Sequence, residues 1–296
     1  LTKDGSHLDL PIALTILVLS GQLLQSDLER KLFIGELSLN GLTKPVRGII
    51  NIVETAKQAG FSEVYVPKAD YPYATLIPGI QIYAVSSLTE LFLHLKGVKP
   101  IQNPSAPITP VLAKNTQTDT TLPTLDQIRE QEFAKRALAI AIAGHHNLLL
   151  SGPPGAGKTL LARTAANLLP NPSPAEQTAI AKIYSLSLST PQITQHRPFR
   201  SPHHTASNIS IIGGGTQASP GEISLAHHGI LFLDELPEYP RTVLESLRQP
   251  LEDKTITIAR ASQHVTYPAD FMLIATMNPC PCGYYNDPDH ECTCTI

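Results

Sequence analysis

Gly152-Pro153-Pro154-Gly155-Ala156-Gly157-Lys158-Thr159 is the stretch on which the reading of this chain turns. It fits the pattern G-x-x-x-x-G-K-[ST] in full. The apolar run Asn147–Leu150 leads into it, and helical spacing continues out of it through Leu160 to Ala166. The residue types follow from the chemistry of a phosphate. Glycines let successive backbone N–H groups curl around phosphate oxygens with no side chain in the way. The helix that follows turns its positive end toward the same anion. Lys158 is placed to reach the β and γ phosphates, and Thr159 to offer a hydroxyl to Mg²⁺. Residues Gly152 to Leu160 are therefore expected to hold ATP with Mg²⁺.

Two later apolar runs complete the constellation. Ile230–Leu233 ends in Asp234-Glu235, and Phe271–Met277 ends at Asn278. Strands buried on both faces of a parallel sheet read as continuous apolar runs of this kind. Asp234 is expected to hold the hydration shell of Mg²⁺, and Glu235 to orient an attacking water. Asn278, at the end of its strand, can touch the γ-phosphate and that water. Lys158, Asp234, Glu235 and Asn278 are the candidate catalytic residues.

The chain has 296 residues, enough for about two domains. With 42% hydrophobic and 16% charged residues it suits packed cores, and neither global disorder nor a membrane bundle. The longest apolar run, Leu10–Leu19, is too short to span a bilayer and lacks a signal-peptide cleavage site, so it reads as a buried helix. A net charge of −3 gives no global basic field, so any nucleic-acid contact must come from a few local groups. The chain lacks an initiator Met and stops inside a cysteine cluster, as a fragment of a longer protein would.

Residues 98–124 are rich in Pro, Thr and Asn and without apolar periodicity, a linker by composition. Before it, 1–97 alternate helix and strand: a helix at Leu10–Ser20, a strand at Lys31–Asn40 ending in the turn pair Asn40-Gly41, and a helix at Arg47–Ala59. Short strands follow at Glu63–Val66 and Ile80–Val85, then a helix at Ser87–Leu95 capped by Ser87 with Glu90. After the linker, 125–296 hold the phosphate motif. The fold class is α/β throughout.

All four cysteines lie between 280 and 294, which suits a reducing compartment better than a disulfide framework. Cys280-Pro281-Cys282 and Cys292-Thr293-Cys294 offer four thiolates, enough for a tetrahedral zinc shell with His290 as a substitute ligand; the other reading is four plain thiols in a hairpin. The pairs His203-His204 and His227-His228 are poor metal sites, because neighbours on a strand point to opposite faces.

The three motifs in this order resemble an AAA+ ATPase, in which the Asn278 position is called sensor 1. The segments Arg197–Thr205, Ile211–Gly215 and Gly221–Gly229 resemble the magnesium-chelatase-like group, and Asn278-Pro279-Cys280-Pro281-Cys282-Gly283 resembles its competence-associated ComM/YifB branch. The resemblance implies a Lon-protease-like (S5-like) α/β domain at 1–97, incomplete at its start, followed by a P-loop AAA+ parallel-sheet core at 125–296. It implies a cytoplasmic homo-hexamer that hydrolyses ATP while moving single-stranded or branched DNA, without a membrane. The helical lid and the arginine finger fall beyond residue 296. Residues Arg197, Arg200, His203 and His204 fall in the insert that lines the pore of such rings, and Lys254 and Arg260 in a neighbouring pore hairpin. Lys3-Asp4-Gly5-Ser6-His7 and Pro45–Ile49 resemble segments of Lon, but His7 stands at the nucleophile position and Ile50 at the lysine position. A Ser-Lys dyad needs a hydroxyl and an amine, so a non-proteolytic scaffold is expected. The rivals are a chelatase-type motor that inserts metal into a tetrapyrrole, and an ATP-dependent protease.

Overall fold

The structure is a computed structural model, and it describes residues 7–104, 124–187, 196–216, 218–259, 264–285 and 290–294. It divides into two units: Leu1–Ala113 with Ala181–Ile193, and Lys114–Ile180 with Thr194–Ile296.

In the first unit three parallel strands stand in the order Lys31–Phe33, Glu63–Pro67, Gln81–Val85. Leu32 pairs with Val64, and Val64 with Ile82. Helix Ile49–Gln58 lays Ile49, Ile50, Val53 and Ala56 on one side of this sheet, in a core shared with Val64, Val66 and Tyr73. Helix Asp9–Leu19 forms where a buried helix is expected, but only one face is covered: Leu10 and Leu14 enter a second core with Phe33, Tyr65 and Leu91, while Ile12, Ile16 and Leu19 are exposed. The strand expected over 31–40 is broken at Ile34-Gly35. There Gly35 packs against Leu10 and Pro67, and the chain leaves the parallel sheet. Glu36–Leu37 then pairs antiparallel with Thr43–Lys44 around Asn40-Gly41. Helix Leu88–Leu95 is capped as its sequence implies, with Ser87 Oγ accepting from the Glu90 N–H at 3.2 Å.

Part of the expected linker is docked. Asn103 donates to Ile82 O at 2.7 Å and accepts from the Ala84 N–H at 3.0 Å, and Ile101 is buried. These bonds satisfy the free edge of strand Gln81–Val85. Residues 181–187 also group with the first unit, where the sequence reading places them in the second. Ala181 is buried in the first unit's core, and Lys182 pairs with Glu54 at 2.6 Å.

In the second unit four parallel strands stand in the order Leu148–Ser151, Met272–Met277, Ile230–Leu233, Phe199–Arg200. Ile230, Phe232, Met272 and Ile274 form a core with Leu138 and Ala141 of helix Glu132–Gly144 and with Leu161, Ala162 and Ala165 of helix Lys158–Leu168. Strands Thr255–Ala259 and His264–Pro268 make an antiparallel hairpin, the one expected from the sequence. Tyr267 of that hairpin donates to Ala218 O at 2.6 Å. Among the described residues, no helix is long and apolar enough to cross a membrane.

Candidate nucleotide site

Parallel strands put all their carboxyl ends on one edge of a sheet, and the strand order brings three such ends together. The strand ending at Asn278 lies between the one entering the phosphate loop and the one ending at Asp234. Gly155 and Gly157 take φ of 80° and 81°, the left-handed conformation that glycine adopts freely, and Gly157 opens helix Lys158–Leu168. The Lys158 ammonium donates to Gly152 O at 2.7 Å, to Pro153 O at 2.9 Å and to Asn278 Oδ1 at 3.1 Å. Partial burial moves its pKa below the ordinary lysine value, against the pull of Asp234 and Glu235.

Thr159 Oγ1 donates to Asp234 Oδ2 at 3.0 Å. The buried Thr276 hydroxyl also donates to Asp234, and its oxygen accepts the Glu235 N–H at 3.0 Å. Thr276 belongs to none of the sequence motifs. The signal was its place two residues before Asn278, on the same face of one strand. Glu235 takes φ of 55°, rare for a residue with a side chain, and its exposed carboxylate turns toward His204 Nδ1 at 3.8 Å.

Beside the loop lies a cavity of about 290 Å³ lined by Ile128, Phe133, Ala134, Ala156, Leu161 and Lys158. Leu161 lines it, whereas Leu160 is 45% exposed. Ile128, Phe133 and Ala134 were not singled out from the sequence, because an apolar helix face looks the same whether it meets a core or a flat ring.

Among the described residues, three of the cations expected to meet phosphate backbone have carboxylate partners within the unit. Arg197 donates to Pro170 O and His228 O, both at 2.8 Å, and pairs with Glu176 at 2.8 Å. That guanidinium holds the Glu176 carboxyl down to about 2. Arg200 grips Glu222 with two bonds of 2.5 and 2.6 Å, and Lys254 stands 3.2 Å from Asp270. His203 is exposed, and its Nδ1 lies 2.7 Å from Thr205 Oγ1. Arg260 and Ser6 lie outside the described residues.

The four cysteine sulfurs gather within 4.8 Å of one another. His290 is not among them and stacks on Tyr284 instead, with ring centres 4.6 Å apart. Backbone N–H donation at Tyr284 and a hydrogen bond with Cys280 bring the Cys282 thiol down to about 6.

Residues 124–296 match the family described as magnesium chelatase, subunit ChlI, and residues 1–70 match that described as subunit ChlI of Mg-chelatase. The chain belongs to the magnesium chelatase subunit ChlI family. A protein named YifB from Salmonella typhimurium is 42% identical over 99% of this chain and 57% of its own length. Competence protein ComM of Haemophilus influenzae is 43% identical over 96% of this chain and 56% of its own length. The chain thus spans little more than half of these relatives. Of solved structures, a BchI–BchD complex of magnesium chelatase aligns with 49% of this chain and 51% of its own, at 24% identity and a TM-score of 0.40.

Proposed function

We propose that this chain holds the ATP-hydrolysing site of a motor that moves DNA strands, as in branch migration during natural transformation and recombination. The observation that supports it best is the convergence of Lys158, Thr159, Asp234, Thr276 and Asn278 on one sheet edge through hydrogen bonds. In this reading the phosphate-loop N–H groups and Lys158 bind the β and γ phosphates. The adenine lies in the apolar cavity against Ile128 and Ala134. Thr159 and Asp234 would hold Mg²⁺, which would supply positive charge against the developing phosphate charge. The donor set fits such an ion: a hydroxyl and a carboxylate, already 3.0 Å apart. Glu235 orients the water, and Asn278 reports on the γ-phosphate.

DNA as the partner is supported by the likeness to a competence protein along nearly all of the chain. The hairpin Thr255–Pro268 and the insert around His203 are the elements proposed to meet the strand inside a cytoplasmic homo-hexamer. The described residues proposed for that contact are Arg197, Arg200, His203, His204 and Lys254, whose side chain is 65% exposed beside Asp270. The first unit is proposed to be a Lon-like scaffold without peptidase activity, since Ile50 is fully buried in an apolar core.

The test is binding of a fluorescent ATP analogue and phosphate release, on the same preparations. Lys158→Ala should abolish tight binding, because it removes the phosphate cation. Glu235→Gln should bind as the parent does and lose turnover about 10²-fold or more. Parental turnover in Glu235→Gln would overturn the role given to Glu235.

A further inference from the structure

We propose that Cys280, Cys282, Cys292 and Cys294 hold one zinc ion, and that this site braces the phosphate loop. Cys280 Sγ stands 3.3 Å from Cys282 Sγ and 3.7 Å from Cys292 Sγ, and Cys282 Sγ stands 3.6 Å from Cys292 Sγ. A tetrahedral zinc with bonds of about 2.3 Å places its sulfurs about 3.8 Å apart. A disulfide needs about 2.05 Å, so these sulfurs surround a point and are not paired. Left alone, such a cluster has little to hold it. Thiols are weak hydrogen-bond partners, and thiolates repel. A divalent cation supplies the attraction and offsets part of the charge. An all-sulfur set selects a soft or borderline ion over Mg²⁺ or Ca²⁺. Backbone groups complete the shell: the Cys282 N–H donates to Cys294 Sγ, and the Tyr285 N–H to Cys280 Sγ, both at 3.3 Å. Such outer donors orient thiolate ligands and stabilise their charge. Four protein ligands leave no position open for substrate, so the site is structural.

Its place gives it work to do. Asn278, two residues before the first ligand, accepts from Lys158 at 3.1 Å. Gly283, directly after the second ligand, has φ of 86°, and a Cβ there would come 2.6 Å from Pro154 Cδ. The segment therefore meets the phosphate loop at both ends, with Cys280 and Cys282 between them. Zinc ties that segment to the returning Cys292–Cys294 segment, so Asn278 and the loop keep one arrangement. This role rests on the ATP reading above.

Metal content and nucleotide affinity are measured on the same reduced, purified protein. The parent should carry about one zinc per chain, and cobalt in its place should give the visible spectrum of a tetrahedral tetrathiolate. Cys292→Ser and Cys294→Ser should each lower zinc affinity at least roughly tenfold. Stripping zinc with a chelator should weaken binding of the ATP analogue about tenfold, and added zinc should restore it. Gly283→Ala should keep the zinc and weaken the nucleotide. Lys158→Ala should keep the zinc and lose the nucleotide, so failure of the ATP reading and failure of the metal reading give different patterns. Less than a tenth of an equivalent of zinc, or iron in its place, would overturn the metal assignment. Zinc at full content with nucleotide affinity unchanged on stripping would overturn the brace.

Discussion

Glu235 sits in a backbone conformation that costs a side-chain-bearing residue about 1 kcal/mol or more, and the Thr276 hydroxyl holds it there by accepting its N–H at 3.0 Å. The same hydroxyl donates to Asp234, so one buried threonine holds the Asp234 carboxylate and the Glu235 backbone together. Thr276→Val keeps the shape and removes both bonds. It should lower stability by about 1–3 kcal/mol, and it should lower turnover more than ATP binding. Thermal unfolding and analogue binding on one preparation check this, and equal losses of binding and turnover would contradict it. The difference between Thr276 and Lys158 shows what a sequence exposes at this scale. Lys158, Asp234 and Asn278 are legible because phosphate and metal chemistry demand their types at fixed places. Thr276 is hidden because threonine is also an ordinary strand residue, and His204 because its approach to Glu235 depends on a non-local turn.

Two buried groups, one in each unit, respond to pH in opposite directions. His227, behind the Ile230–Leu233 strand, accepts the Asp270 N–H at Nδ1. Burial, and then its neighbour His228, lower its pKa to about 4. A base with a lowered folded-state pKa gives stability that is present above its ordinary value near 6.5 and lost as pH falls through 4. That is on the order of 3 kcal/mol, and His227→Gln should flatten the slope. Asp70, beneath helix Ile49–Gln58, accepts the Val46 N–H at 2.9 Å, and burial raises its carboxyl to about 7. An acid with a raised folded-state pKa gives stability that is present below its ordinary value near 3.8 and lost as pH rises through 7. The unfolding midpoint measured from pH 4 to 8 in Asp70→Asn and His227→Gln checks both signs; a parental slope in either variant removes that assignment. At this scale most elements were legible. Helix Asp9–Leu19 and helix Leu88–Leu95 with its Ser87 cap follow from apolar spacing and caps, and the pairing of Thr255–Ala259 with His264–Pro268 from the family resemblance. The break at Ile34-Gly35 was not, because it depends on Leu10 and Pro67 arriving from elsewhere. The Arg200–Glu222 pair was not either. Its cation looks like a free phosphate contact until the fold supplies a carboxylate 22 residues away. Arg200→Ala should therefore cost roughly 1–2 kcal/mol in stability, read by thermal unfolding. A fully stable variant with weakened DNA binding would restore the arginine to the DNA contact.

Across the whole molecule, the sequence separates an alternating α/β part from a phosphate-binding part, and the structure shows parallel sheets in each of its two units. What the sequence missed is the allegiance of short segments. Residues 100–103 look like linker but close the edge of a sheet, and 181–187 look like part of the second unit but bury Ala181 in the first. Both misreadings have one cause: a segment's partner is set by a surface distant in sequence. The central claim is a nucleotide site that drives work on DNA. It is tested most directly by the rate of ATP hydrolysis of the full-length protein, with and without branched DNA, alongside its Glu235→Gln variant. Turnover should rise several-fold with branched DNA and vanish in the variant while ATP stays bound. Turnover indifferent to every form of DNA, or surviving in Glu235→Gln, would contradict it.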